Sequence, residues 1–209
     1  TPSGVPKGEL NPDDLVLLDV GADNARRQQV PDNPRIARAR RGMMPSSEMA
    51  MHLSIYAARP DVGAIVHAHP PTAVGLTVSS ERPRLDICPE SIVFLGDIGF
   101  ARYATPGTPE LPQSLVPLLD RCDCILLERH GAVTVARDLP LAHQRMESLE
   151  HVAKIYVAAR QLGPVEPLGE AEQARLVGMR NQGALPEPIE GNELDVQDLV
   201  SQVMERLKS

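Results

Sequence analysis

Tryptophan is absent from this chain, and only two phenylalanines and three tyrosines occur among its 209 residues. Aliphatic side chains must therefore fill whatever core it builds. No apolar run approaches the ~18 residues of a membrane-spanning helix, so no membrane partner is expected. Positive charge is also in deficit. The formal net charge of −7 favours solubility and argues against a nucleic-acid partner. Cysteines number three (Cys88, Cys122 and Cys124), an odd count without CxxC spacing. That fits reduced thiols in a cytoplasmic protein, packed as small apolar residues, better than a disulfide framework. There is no glycine-rich phosphate loop of the dinucleotide-binding or Walker type, no internal repeat and no low-complexity tract.

What the chain does have is proline. Its 20 prolines divide it into many short elements. The length suits one large domain or two small ones, with enough residues for a sizeable core. LVLLDV (15–20) reads as a buried strand, and the polar, arginine-rich stretch 22–44 reads as a long loop. PSSEMAMHLSIYAARP (45–60) reads as a helix capped by Ser46 or Ser47, with an apolar stripe of Met49, Leu53 and Ile55 or Tyr56. VGAIVHAH is a buried strand, and a short helix follows from Pro71. SIVFLG (91–96), CILLER (124–129) and AVTVA (132–136) are strand candidates. PELPQSLVPLLDRC is a short helix, and two longer helices fall at 141–162 and 170–183. Strands and helices alternate, which points to an α/β layer fold with one sheet covered by helices.

VGAIVHAHP poses the chemical question. Residues i and i+2 of a strand share a face, so His67 and His69 project side by side from its end. Two imidazoles so placed either ligate one metal ion or serve as hydrogen-bonded surface histidines. LLERHGA sets His130 at the end of another apolar strand, and PSSE sets Glu48 at a helix start. Three histidines and a carboxylate form a recognisable metal inventory. His52 lies four residues after Glu48 on the same helix face. His143 and His151, on the long helix, read as packed or solvated. Hydroxyls and free N–H groups at the Ser46–Ser47 helix start suit an anion.

Five motifs in order, TPSGVPKGEL, PSSEMAMH, RPDVGAIVHAHPP, YATPGT and LLERHGAV, carry a resemblance to the class II aldolase/adducin family over roughly residues 1–185. The resemblance implies a three-layer α/β/α sandwich with a central mixed sheet, assembled as a homotetramer with active sites between subunits. It implies Zn²⁺ bound by His67, His69 and His130. Glu48 would sit on the metal at rest and then act as acid and base. Ser3, Gly4, Ser46 and Ser47 would hold a substrate phosphate. The reaction implied is retro-aldol cleavage of a deoxy-ketose 1-phosphate such as L-fuculose 1-phosphate, giving dihydroxyacetone phosphate and L-lactaldehyde. Related 4-epimerases carry Asp where Glu48 stands, which favours the aldolase. The other readings are a 4-epimerase, dehydratase or decarboxylase of the same superfamily, or a non-catalytic adducin-like module.

The chain departs from the family at two tyrosines. One falls near Cys88 here and the other near Gln182. Tyr103, in YATPGT, reads as structural. The family also has an N-terminal helix and a Gly-Asn-x-Ser turn before TPSG, so an upstream segment is expected. The domain then runs over 1–182, followed by a polar linker at 183–194 and a helix at 195–209. In that last stretch Val196, Leu199, Val200, Val203, Met204 and Leu207 form one apolar stripe. It resembles the encapsulation peptides that direct enzymes to bacterial microcompartments, which would make shell proteins a partner. Packing on its own subunit or on a neighbour is the alternative.

Overall fold

The computed structural model describes residues 1–19, 35–40 and 42–182. Most of the 22–44 stretch, the 183–194 linker and the 195–209 helix lie outside the described residues.

The main sheet contains β3 (Ala64–Ala68), β4 (Ile98–Ala101), β5 (Cys124–Leu127) and β6 (Gly131–Ala136), in the order β3-β6-β5-β4. β6 pairs antiparallel with both β3 and β5, whereas β4 and β5 are parallel, so the sheet is mixed. A parallel pair needs a crossover, supplied by α3 (Glu110–Leu115) and the tight helical turn Val116–Leu118.

Alternation along β5 assigns the layers. Ile125 and Leu127 pack with Met51 and Ile55 of α1 (Met49–Ala58) and Leu111 and Leu115 of α3. Cys124 and Leu126 face the other way. They meet Ala73 and Leu76 of α2 (Pro71–Val78) and Met146, Leu149 and Val152 of α4 (Leu139–Leu162). All four β5 residues are buried, as a strand covered on both faces must be. The result is the α/β/α sandwich. Full burial of each aliphatic residue here contributes ~1.5–3 kcal/mol. α5 (Glu170–Asn181) closes the described chain.

Several expectations need correction. LVLLDV does not form a buried strand. Leu17–Asp19 is β1, paired in a two-stranded ribbon with β2 (Arg35–Arg38), off the main sheet. Among the described residues Leu17 is 56% exposed and Leu18 only half-buried. β2 itself lies inside the stretch read as loop. SIVFLG is not a strand either: Ser91–Leu95 forms a π-helical turn that ends at Gly96, in a left-handed conformation with φ 68°. Ser91 Oγ donates to the Cys88 carbonyl at 2.7 Å, starting that turn. A five-residue apolar run has no periodicity that separates buried strand from buried helix. The long helix begins at Leu139, two residues earlier than read. Asp138 accepts from Leu141 N at 2.8 Å, and Pro140 needs no partner in the first turn. No helix among the described residues is long and apolar enough to cross a membrane.

Candidate active site

β3 and β6 pair through residues distant in sequence, Ala64 with Ala136 and His67 with Val133. That register carries the end of β3 to the turn between β5 and β6. His67, His69 and His130 meet there, each offering one ligand atom within 4.8 Å of the others. Their ring centroids lie 4.9 to 5.1 Å apart. The side chains expected from the sequence to converge do so.

His67 has a fixed tautomer. Its Nδ1 lies 3.0 Å from the Ala132 carbonyl, which can only accept, so Nδ1 carries the hydrogen. The lone pair then sits on Nε2, which is buried without a partner. His130 Nδ1 is likewise buried and unpartnered. Burial first, opposed by the Ala132 carbonyl and reinforced by His130, His69 and His52, pushes His67 down to about 4. Burial and His69 lower His130 as well. Neutral imidazoles with buried, unpartnered ring nitrogens, one oriented by a backbone carbonyl, are what a divalent metal requires. The donor set fits such an ion.

Gly131 makes the convergence possible. A Cβ there would stand 2.6 Å from the Ala68 carbonyl oxygen and 2.6 Å from His69 Cδ2. The first contact is backbone and cannot yield cheaply. Gly131→Ala is therefore expected to spread the histidines and weaken metal binding ~10–100-fold, the range seen when support for a ligand is lost. Titration of the variant with Zn²⁺ against a chromophoric chelator checks this, and unchanged affinity would remove Gly131 from the site.

Glu48 stands at the N-terminus of α1, and its Oε2 is buried without a partner. Burial raises its pKa, and nearby His69 partly offsets the rise. The trio within 4.8 Å contains no carboxylate, so Glu48 borders the histidine cluster. His52, one turn further along α1, puts its ring 6.5 Å from that of His67.

The segment that carries Ser3 and Gly4 runs beside the residues that lead into Ser46, Ser47 and α1. Pro2 bridges to Pro45, and Ser3 N donates to the Met44 carbonyl at 2.9 Å. Gly4 turns the chain with φ 75°. Ser46 Oγ accepts from Glu48 N at 3.2 Å. Of the positions where the family tyrosines are missing, Cys88 packs against the α2–α4 core. Gln182 ends α5 with its N–H on the Gly178 and Met179 carbonyls. Tyr103 is 57% exposed, and its backbone N–H donates to Glu128 at 3.0 Å.

Residues 1–157 match the family described as Class II Aldolase and Adducin N-terminal domain. The chain belongs to that family. It is 32% identical over 155 residues to the L-fuculose phosphate aldolase of Methanococcus vannielii, covering 74% of this chain and 75% of that one. It is also 32% identical over 178 residues to the 5-deoxy-D-ribulose 1-phosphate aldolase of Bacillus thuringiensis serovar kurstaki, covering 84% and 76%. A solved L-fuculose 1-phosphate aldolase superposes with a TM-score of 0.71 at 30% identity, covering 87% of this chain and 78% of that one. The protein is thus a class II aldolase, a carbon–carbon lyase of a metal-dependent family, and such aldolases act on phosphorylated sugars.

The acid side of its stability curve follows from the histidines. Both His67 and His130 have folded-state values below the ordinary 6.5. The unfolded chain therefore binds protons first as pH falls, and stability present above pH 6.5 is lost on the way to about 4. Glu48, raised above its ordinary value by burial, has the opposite sign and titrates inside that window, so it offsets part of the loss. For metal-stripped protein the loss is expected on the order of 2–3 kcal/mol. Urea midpoints between pH 7 and 4 measure it, and His67→Phe should flatten the slope.

Proposed function

We propose that this aldolase is zinc-dependent and cleaves a deoxy-ketose 1-phosphate, L-fuculose 1-phosphate foremost, to dihydroxyacetone phosphate and L-lactaldehyde. The observation that carries the reading is the three-histidine centre, with the orphaned Oε2 of Glu48 at the helix end beside it. His67, His69 and His130 would hold the ion, which supplies Lewis-acid polarisation of the ketose carbonyl. Glu48 moves the proton at the carbon that becomes part of dihydroxyacetone phosphate. Burial keeps its pKa closer to neutrality, where one group both accepts and returns a proton efficiently.

Ser3, Gly4, Ser46 and Ser47 would fix the phosphate at the N-terminus of α1, whose dipole and free N–H groups favour an anion. Anchoring the phosphate there orients the C3–C4 bond toward Glu48 and the histidines. A homotetramer is the assembly we infer. Leu17, Ile36 and Met44, exposed on the single chain, give subunits apolar surface to cover.

The experiment is retro-aldol turnover of L-fuculose 1-phosphate and L-rhamnulose 1-phosphate, with and without chelator. Cleavage lost on chelation and restored by Zn²⁺ supports the reading and ranks the substrates. Metal binding without cleavage would move the assignment to epimerase, dehydratase or decarboxylase chemistry. We further infer that residues 195–209 are an encapsulation helix joined by the 183–194 linker to the 1–182 domain. Deleting 195–209 is expected to leave turnover unchanged and to abolish co-sedimentation with microcompartment shell proteins. Loss of activity or of the tetramer would make the segment structural.

A further inference from the structure

We propose that α2 is a brace that sets the spacing of His69 and His130, with Glu150 and Thr77 as the positioning residues that fasten its two ends. The proposal rests on reading the three histidines as a metal centre.

His67 is held by β3 and by the Ala132 carbonyl. The other two ligands lie outside any strand: β3 ends at Ala68, and His130 precedes Gly131 in the β5–β6 turn. They need support from elsewhere. α2 starts two residues after His69, with Pro70 at its cap and Pro71 in its first turn, and Pro70 contributes no side-chain cap. The free N–H groups of Thr72 and Ala73 go instead to Glu150 of α4. Thr72 N lies 3.1 Å and Ala73 N 2.9 Å from Oε2, and Thr72 Oγ1 donates to Oε1 at 2.7 Å. Burial opposes ionisation of Glu150, but these three donors outweigh it and hold its carboxyl below the ordinary value. A carboxylate accepting three bonds at a helix N-terminus is a strong fastening.

The other end of α2 is fastened by Thr77, which is 7% exposed. Its hydroxyl donates to the Val74 carbonyl at 2.7 Å and accepts from Arg129 N at 2.9 Å. Arg129 has φ 58°, alone among described non-glycine residues in being positive. A side chain in that region costs ~1–2 kcal/mol, so the turn needs a constraint to hold it. Arg129 is the residue immediately before His130. One rigid helix, ~12 Å long at the usual rise, therefore connects the segment after His69 to the segment before His130. Thr77 and Glu150 approach the histidines from the α2–α4 side of the sheet, away from Glu48. They touch no substrate; their effect passes through the ligands.

The test uses the full-length chain. Zn²⁺ affinity is measured by competition with a chromophoric chelator, and ligand geometry by the visible absorption of bound Co²⁺. Thr77→Val keeps the shape and removes both hydrogen bonds. It is expected to weaken Zn²⁺ binding ~10–100-fold and to change the Co²⁺ spectrum. Thr77→Ser restores the hydroxyl and should restore both readouts. Glu150→Gln keeps the volume, loses the charge and should weaken binding independently, which keeps the brace testable if Thr77→Val fails to fold. Wild-type affinity and spectrum in both Thr77→Val and Glu150→Gln would overturn the brace while leaving the metal centre standing. If instead the wild type binds no Zn²⁺, or His67→Ala binds it equally well, the metal-centre reading fails and the brace falls with it.

Discussion

Glu48→Gln is expected to lower retro-aldol turnover ~10²–10⁴-fold, the usual worth of a positioned acid–base group. The substitution keeps volume and shape and removes only the capacity to take and return a proton. Oε2 of Glu48 makes no hydrogen bond and lies buried, so no partner is orphaned by the change. Burial already disfavours its ionised form. The melting temperature should therefore hold or rise slightly. Zn²⁺ affinity should fall little, because the donor cluster contains three histidines and no carboxylate. This last readout separates two roles: a large loss of affinity would make Glu48 a ligand, and a loss of turnover alone makes it the proton carrier. Retention of wild-type turnover would remove it from the mechanism.

Asp123→Ala is expected to produce the largest loss of stability outside the core. Asp123 precedes β5 and accepts from two arginines, Arg145 of α4 at 3.0 Å and Arg59 at the end of α1 at 3.1 Å. Arg145 also donates to the Val135 carbonyl, and Arg59 to the Leu119 carbonyl at 2.8 Å. The network ties the helices of both outer layers to the sheet. Arg145 is only 8% exposed, and removing its counter-charge leaves a buried cation unpaired. Such losses run ~3–5 kcal/mol; Asp123 keeps some solvent, which favours the lower end. At ~2–4 °C per kcal/mol for a chain of this size, the melting temperature should drop roughly 6–12 °C. Asp123→Asn retains an acceptor and should lose less. A drop no greater than that of the exposed Asp97→Ala would refute the account.

The site was more legible in the sequence than the fold around it. His67 and His69 could be paired because a period of two is a local property of a strand. Glu48 and the serines could be placed near a helix start because such a start has a local signature, although the cap position falls on Glu48 and not on Ser46 or Ser47. His130 joins them through the β3–β6 register, which periodicity does not encode; the ordered family motifs supplied it. The errors fell where local pattern is silent. LVLLDV has the composition of a covered strand, and nothing in those six residues says that its partner lies off the main sheet. SIVFLG is equally apolar as strand or helix, and Gly96 resolved it only through its left-handed turn. The roles of Thr77 and Glu150 were invisible for another reason. Thr77 looks like any hydroxyl in a small helix, and Glu150 like any charge on a long one. Their partners are 52 and up to 78 residues away.

That same distance governs when the site comes into being. His67 and the carbonyl that orients it are 65 residues apart. The strand pairing that joins them closes a long loop, a slow and entropically costly event in a folding chain. The β5–β6 hairpin, by contrast, can zip early, carrying His130 alone. The three imidazoles are therefore expected to meet late in folding. An ion held there acts as a latch on the finished chain: it slows unfolding and has little to grip while the chain is still finding its register.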